Sequence, residues 1–437
     1  MEWPLVLLLI FAILVILMAT GMPVAFSFML INVVGVFIFF SGTLGLEQLI
    51  LSIYTSLATF ILLPVMLFVL MGEVMFHSGI GLRVIDIMDK WLGRLPGRLS
   101  LLAVATGTVL AALTGVSMAA TSILGSVLVP EMENRGYKKP MTMGPVMASG
   151  GLAIMIPPSS LAVLLGAIGE ISVGRILVAI IIPGLLLAGI YIAYIIVRCM
   201  LQPRLAPAYE VAPTPLSVKV RETVQYVFPL AIVVFLVIGV MMLGVATPSE
   251  AAASGTIGIA IVALIYRCFT WEVIKKSILG TLRITGMIFM IVAGATAFSQ
   301  ILSYTGATQG LAQFATSLPV APILIVIGMQ IVVLILGCFM DVVAIMMITL
   351  PIFVPTVHAL GFDPVWFGVL IMINIECALI TPPFGMSLFV MKGVAPSGTT
   401  MGDIYKASLP FVIQQLLAMA LIMIFPQIAL WLPGLGR

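Results

Sequence analysis

From Ile284 to Met340 the chain carries neither an acid nor a base. Charge-free runs recur from Pro4 to Leu46, Leu99 to Pro130, Pro140 to Gly169 and Thr223 to Ser249. A helix of about 20 apolar residues crosses a bilayer, so these runs predict an all-α polytopic membrane protein. Composition agrees: 8% of residues are charged and 62% hydrophobic, where soluble domains carry about 25% charge. The short alternating segments of a membrane barrel are missing. The first 20 residues read as a retained helix, because Glu2 is their only charge and no small-residue cleavage pattern follows. Cys199, Cys268, Cys338 and Cys377 are scattered singly and read as small buried hydrophobes. His77 and His358 read as polar residues near helix ends rather than metal ligands.

Within this apolar sequence the chain interrupts itself twice in the same way, with IPPSS at 156–160 and TPPFG at 381–385. Proline removes an amide donor and clashes with the preceding turn, costing a helix roughly 3 kcal/mol. Three further pairs recur in the same order: LATF (57–60) with GATAF (294–298), TGVSM (114–118) with LGCFMD (336–341), and VGRILVAIIIPG (173–184) with MGDIYKASLPF (401–411). The recurrences predict a duplication about a polar segment at 201–223. The parts are N-terminal scaffold helices (1–45), a first repeat (46–200), the linker (201–223), scaffold helices (224–279) and a second repeat (280–437). Each repeat is expected to hold a re-entrant helical hairpin and broken helices. The first hairpin is placed before residue 100 and the second from about 280. Single crossings at 100–130, 141–164, 176–198, 224–247 and 250–268 make the two hairpins enter from opposite faces, so the repeats are inverted. Arg135, Lys138, Lys139, Arg198, Arg204, Lys219, Arg221, Arg267, Lys275, Lys276 and Arg283 then fall on the linker side. Arg83, Lys90, Arg94, Arg98 and Arg175 fall on the other, which leans the linker toward the cytoplasm.

Irregular backbone at membrane depth survives only where protein or a wet cavity surrounds it. Transporters built from such repeats bind substrate and ions there. Thr59 and Thr296 place hydroxyls at the expected hairpin tips. Carbonyls at helix ends lack amide partners and carry partial negative charge, so two ends and a hydroxyl suit a hard cation such as Na+. TGVS at 114–117 and GCFMD at 337–341 are expected to face the tips. Asp341 is the only acid between Ile284 and Phe362, and an intramembrane acid is a functional candidate by default; its alternative role is to cap a broken helix. Glu376 divides between an ion or gating role and packing. Glu170 and Glu250 read as boundary acids. Past the breaks, Ser159, Ser160 and Ser387, with Asn374 before the second, are candidates for an anionic substrate group, or simply satisfy backbone freed by the prolines.

The chain resembles the large membrane subunit of tripartite ATP-independent periplasmic (TRAP) transporters. The resemblance runs from GMPVAF (21–26) almost to the C-terminus, through LPVMLFVLMGEVMFHSG (63–79), SILGSVLVPEMENRGY (122–137), the block at 156–188, GCFMDVVAIMMITLPIFVP (337–355) and NIECALITPPFGMSLFV (374–390). It implies a bacterial inner-membrane, Na+-coupled symporter of small organic acids, most often carboxylates, working by an elevator-type motion. It implies two partners, a small four-helix membrane subunit expected as a separate chain and a periplasmic substrate-binding protein. It implies Na+ sites at Ser56 and Thr59 with Gly115 and Ser117, and at Gly294 and Thr296 with Gly337 and Asp341, with Thr381 and Pro382 beside the second. The family's first break often reads SGSxxA; here it is TGVSMAAT. A symporter or antiporter of related architecture without a binding protein would share the broken repeats. An intramembrane enzyme would need convergent His, Cys or carboxylate motifs, and the sequence has no HExxH and no paired Asp motif.

Overall fold

The computed structural model describes every residue except 1, 2, 40–42, 93, 94, 115, 116, 208–213, 339, 436 and 437, and only the backbone of 19, 43, 112–114, 117 and 119. Its regular secondary structure is all helical among the described residues. Seven helical stretches there are long and apolar enough to cross a membrane, or eight if one bent pair counts as a span.

The chain opens with α1 (Trp3–Ala19), α2 (Val24–Phe39) and α3 (Thr43–Leu57). At LATF the helix gives way to a 3-10 turn (Phe60–Leu62) before α4 (Leu63–His77), where Pro64 suits a helix start. Gly79, at φ 71°, turns the chain into α5 (Ile80–Trp91). That helix buries Ile80, Val84, Ile85 and Ile87. Next come α6 (Arg98–Thr114) and α7 (Ser117–Asn134), α8 (Lys139–Met155) and α9 (Ser160–Ile168), then α10 (Val173–Ala179) and α11 (Ile181–Leu201). After the linker, α12 (Leu216–Glu222) runs through a π turn (Thr223–Val227) into α13 (Phe228–Met242), followed by α14 (Pro248–Ile265).

The second half repeats the plan. A long α15 (Trp271–Tyr304) ends at Gly306, again at φ 71°, which starts α16 (Ala307–Ser317). Then come α17 (Pro322–Gly337) and α18 (Val342–Ala359), α19 (Pro364–Ile380) and α20 (Met386–Val394), and α21 (Met401–Ile424) with α22 (Gln427–Leu435).

The segment 100–130, expected to be one crossing, is a hairpin. The start of α6 meets the far end of α7 and the start of α8: Leu99 N donates to Tyr137 Oη, and Ser100 Oγ donates to Met141 O at 2.6 Å. Farther in, Gly107 packs on Ser149 of α8, while Thr121, early in α7, packs on Gly150. So α6 runs parallel to α8, and α7 runs back. In the second half α17 runs parallel to α19, with Gln330 against Asn374 and Gly337 against Ala378. Returning antiparallel, α18 sets Phe353 against Phe367, near the start of α19.

The expected second hairpin tip at 294–298 is overturned. GATAF lies inside α15, which runs through it unbroken. Gly79 and Gly306 give the register that the motif match missed. An offset of 227 maps 57–60 onto 284–287, ten residues before GATAF.

The correction moves charges. With α6 and α7 a hairpin, Arg98 joins the linker side, where it pairs with Asp89 at 2.7 Å. Lys90 pairs with Glu222 at 2.5 Å, Arg83 stacks over Tyr226, and Lys138 N donates to Leu205 O. At the opposite end Arg175 pairs with Asp363 at 3.1 Å. The arms of α6 and α7 thus open at the linker end, and those of α17 and α18 at the end marked by Arg175.

Candidate functional site

Each hairpin meets a broken helix. At the second junction α19 ends at Ile380, Thr381 is extended (φ −88°, ψ 128°), and the Pro382–Pro383 peptide is cis. A Cβ on Gly385 would lie 2.5 Å from Leu379 O, so only glycine lets α20 begin there. The tip of the α17–α18 hairpin lies against this break. A Cβ on Gly337 would stand 2.1 Å from that of Ala378, and Cys338 Sγ lies 3.6 Å from Pro382 O. Asp341 caps α18, its Oδ2 accepting from Val343 N at 3.1 Å. Thr381 Oγ1 donates to Cys377 O. The structure therefore brings Gly337, Asp341, Thr381 and Pro382 to one junction. Oxygen ligands there are the Asp341 carboxylate, the Thr381 hydroxyl and main-chain carbonyls, a set that fits a hard cation. No group of three His, Cys, Asp or Glu side chains gathers among the described residues.

At the first junction α8 and α9 bend by 50° across the cis Pro157–Pro158 bond. Ser159 is buried and caps α9, its Oγ accepting from Ala162 N at 3.2 Å. Ser160 is buried beside it. Gly115 lies outside the described residues, and Ser117 begins α7 with its side chain not described.

Thr296 and Gly294 do not lie at a helix break as expected. Gly294 O accepts from the buried Asn32 Nδ2 at 2.7 Å, tying α15 to α2. Thr296 instead shares a cavity of about 320 Å³ with Ser56 and Thr59. Hydroxyls from both halves thus line one space, and Asp341 is not among its described lining residues. Thr55, Ser299, Gln300 and Glu170 also line it, and sequence reasoning missed the first three. Their signal was polarity in helices otherwise apolar.

Asn374 and Ser387 are buried away from these spaces. Asn374 Nδ2 donates to Gln330 O and Oε1, both at 2.7 Å. Ser387 Oγ is buried without a partner among the described residues. Two positions beyond Asn374, Glu376 is fully buried; its Oε1 accepts from Tyr191 Oη (3.3 Å) and Gln415 Nε2 (3.2 Å). These bonds tie α19 to α11 and α21, while its Oε2 has no partner among the described residues.

Residues 11–428 match the family model described as the DctM component of the tripartite ATP-independent periplasmic transporter. The chain is 32% identical over 397 residues to the C4-dicarboxylate TRAP transporter large permease protein DctM of Pseudomonas aeruginosa, covering 89% of this chain and 90% of that one. It is 30% identical to the protein of the same description from Rhodobacter capsulatus, over 98% and 99% of the two chains. The fold is similar to that of the Alcanivorax borkumensis YdaH transporter, with a TM-score of 0.66 at 16% identity, over 90% and 91% of the chains.

Proposed function

The chain belongs to the DctM-component family of tripartite ATP-independent periplasmic transporters, and from that premise we propose that it couples Na+ entry to the uptake of a small organic acid. It is a multi-pass transporter permease and not an enzyme. On this reading it sits in the bacterial inner membrane and works with a small four-helix membrane subunit and a periplasmic substrate-binding protein. The observation that carries the coupling is the second junction. A hairpin tip, a capping carboxylate and a broken helix converge there at Gly337, Asp341, Thr381 and Pro382. These residues would hold the ion. The first junction would hold a second through Gly115, Ser117 and the break at Pro157–Pro158. Na+ neutralises an incoming acid and draws on the membrane's ion gradient.

The opposed openings of the two hairpins support inverted repeats and an elevator-type motion. In that motion α6–α9 and α17–α20 move against α1–α4 and α13–α15. α5 and α16, each entered through a left-handed glycine, join the two bodies. The bases gathered at the linker end favour a cytoplasmic linker. Uptake of labelled organic acid into proteoliposomes, with the complex and its binding protein, tests the coupling. An imposed Na+ gradient should drive accumulation, and K+ in its place should abolish it. Accumulation indifferent to Na+ would overturn the proposal.

A further inference from the structure

The 320 Å³ cavity lies where α3, the 3-10 turn and α15 face α9 and α18. Its size is at the lower end for organic ligands and larger than a bare ion needs. Its charge is one-sided. Thr55 Oγ1 donates to Leu51 O and Ser52 O, Ser56 Oγ to Ile53 O, and Thr296 Oγ1 to Val292 O. These three hydroxyl protons are committed to their own helices, so those oxygens serve as acceptors, while Gln300, Ser299 and Thr59 also line the space and can donate. Ala167 and Ile168 bring the last turn of α9, the end of the helix that carries partial negative charge. Glu170 adds an acidic side chain. It is exposed, held at φ 54°, and shared with an adjoining space of about 900 Å³ that Glu250 also lines. Among the described lining residues there is no Lys, Arg or His.

We propose that this cavity receives the cationic end of a zwitterionic organic acid, an ammonium or amidinium group set against Glu170 and the carbonyl end of α9. The inference rests on the organic-acid reading and names the class of acid. A dicarboxylate would meet the Glu170 carboxylate here, with no counter-charge among the described lining residues.

Substituted-cysteine alkylation on the intact transporter tests it. Ser299→Cys places a thiol on the cavity wall, with Thr296→Cys as the alternative if the first fails to assemble. Labelling of the wild-type cysteines is subtracted. Rates are measured with a trimethylammonium and a sulfonate methanethiosulfonate. Adding Glu170→Gln should lower the cationic-to-anionic rate ratio about fivefold, as expected for one nearby charge at partial exposure. Zwitterions from a panel of betaines and amino acids should slow alkylation, while succinate or NaCl alone should not. An unchanged ratio in Glu170→Gln overturns the proposal. So does protection by succinate, protection by Na+ alone, or protection by none of the panel. Uptake that ignores Na+ would remove the coupling proposal and leave these rates standing.

Discussion

Glu376 is enclosed by Gly151, Tyr191 and Gln415, so its side chain joins α19 to α8, α11 and α21. Truncating one partner of a buried polar cluster leaves the others unsatisfied, at about 1–3 kcal/mol per group. Glu376→Ala should therefore lower the detergent-solubilised protein's melting temperature clearly, while Glu376→Gln, which keeps the shape and an acceptor, should cost much less. Equal losses in both, read by thermal shift, would argue against the network as the source of stability. Asp341 is a different case, because its carboxylate caps α18 at the hairpin tip that meets the second break. Asp341→Asn retains the cap and removes the charge. It should raise the Na+ concentration for half-maximal uptake at least tenfold with the protein still folded. Uptake with unaltered Na+ dependence would leave Asp341 as a cap alone.

At the scale of elements, the hairpins depend on residues small enough to let helices touch. Gly337→Ala would drive a methyl into Ala378, and overpacking of this kind costs about 1–3 kcal/mol. Ala378→Gly in the same chain should restore most of the lost stability, and a double-mutant cycle measures the coupling. Much of this level was legible beforehand. Two proline pairs in apolar runs announced two broken helices, and both are present. Asp341, alone in a long uncharged stretch, was found for the same reason. The hairpin tips were harder. TGVS and GCFMD were seen as breaks, but nothing in a run of apolar residues says whether the chain continues across the membrane or turns back. GATAF misled because small residues serve two purposes. In α15 Gly294 makes room for Phe28 without interrupting the helix. The left-handed glycines at 79 and 306 were the better markers, being fixed by backbone geometry rather than by side-chain likeness.

Across the whole molecule, the bases Lys90, Arg98, Lys138, Lys139 and Arg204 gather with the linker, and Arg175 stands at the other end. Arg204→Cys and Arg175→Cys should therefore label from opposite sides of the membrane with an impermeant maleimide. Arg175→Cys should react in intact cells, and Arg204→Cys only after permeabilisation. Labelling of both from one side would refute the arrangement of ends, and a reversed pattern would refute the orientation alone.

Gly151 and Glu376 join the two proline motifs directly. Both lie seven residues before the second proline of their own pair, so they are matching positions, and they touch each other. Two identical subunits related by a twofold axis would place the same residue on both sides of such a contact. Glutamate twice would crowd two acids into one dry point, and glycine twice would leave a hole. A single chain is free of that constraint, and here Gly151 gives up its side chain while Glu376 fills the room with a carboxyl group. A polar core of this kind is open to a fused chain and closed to a symmetric pair.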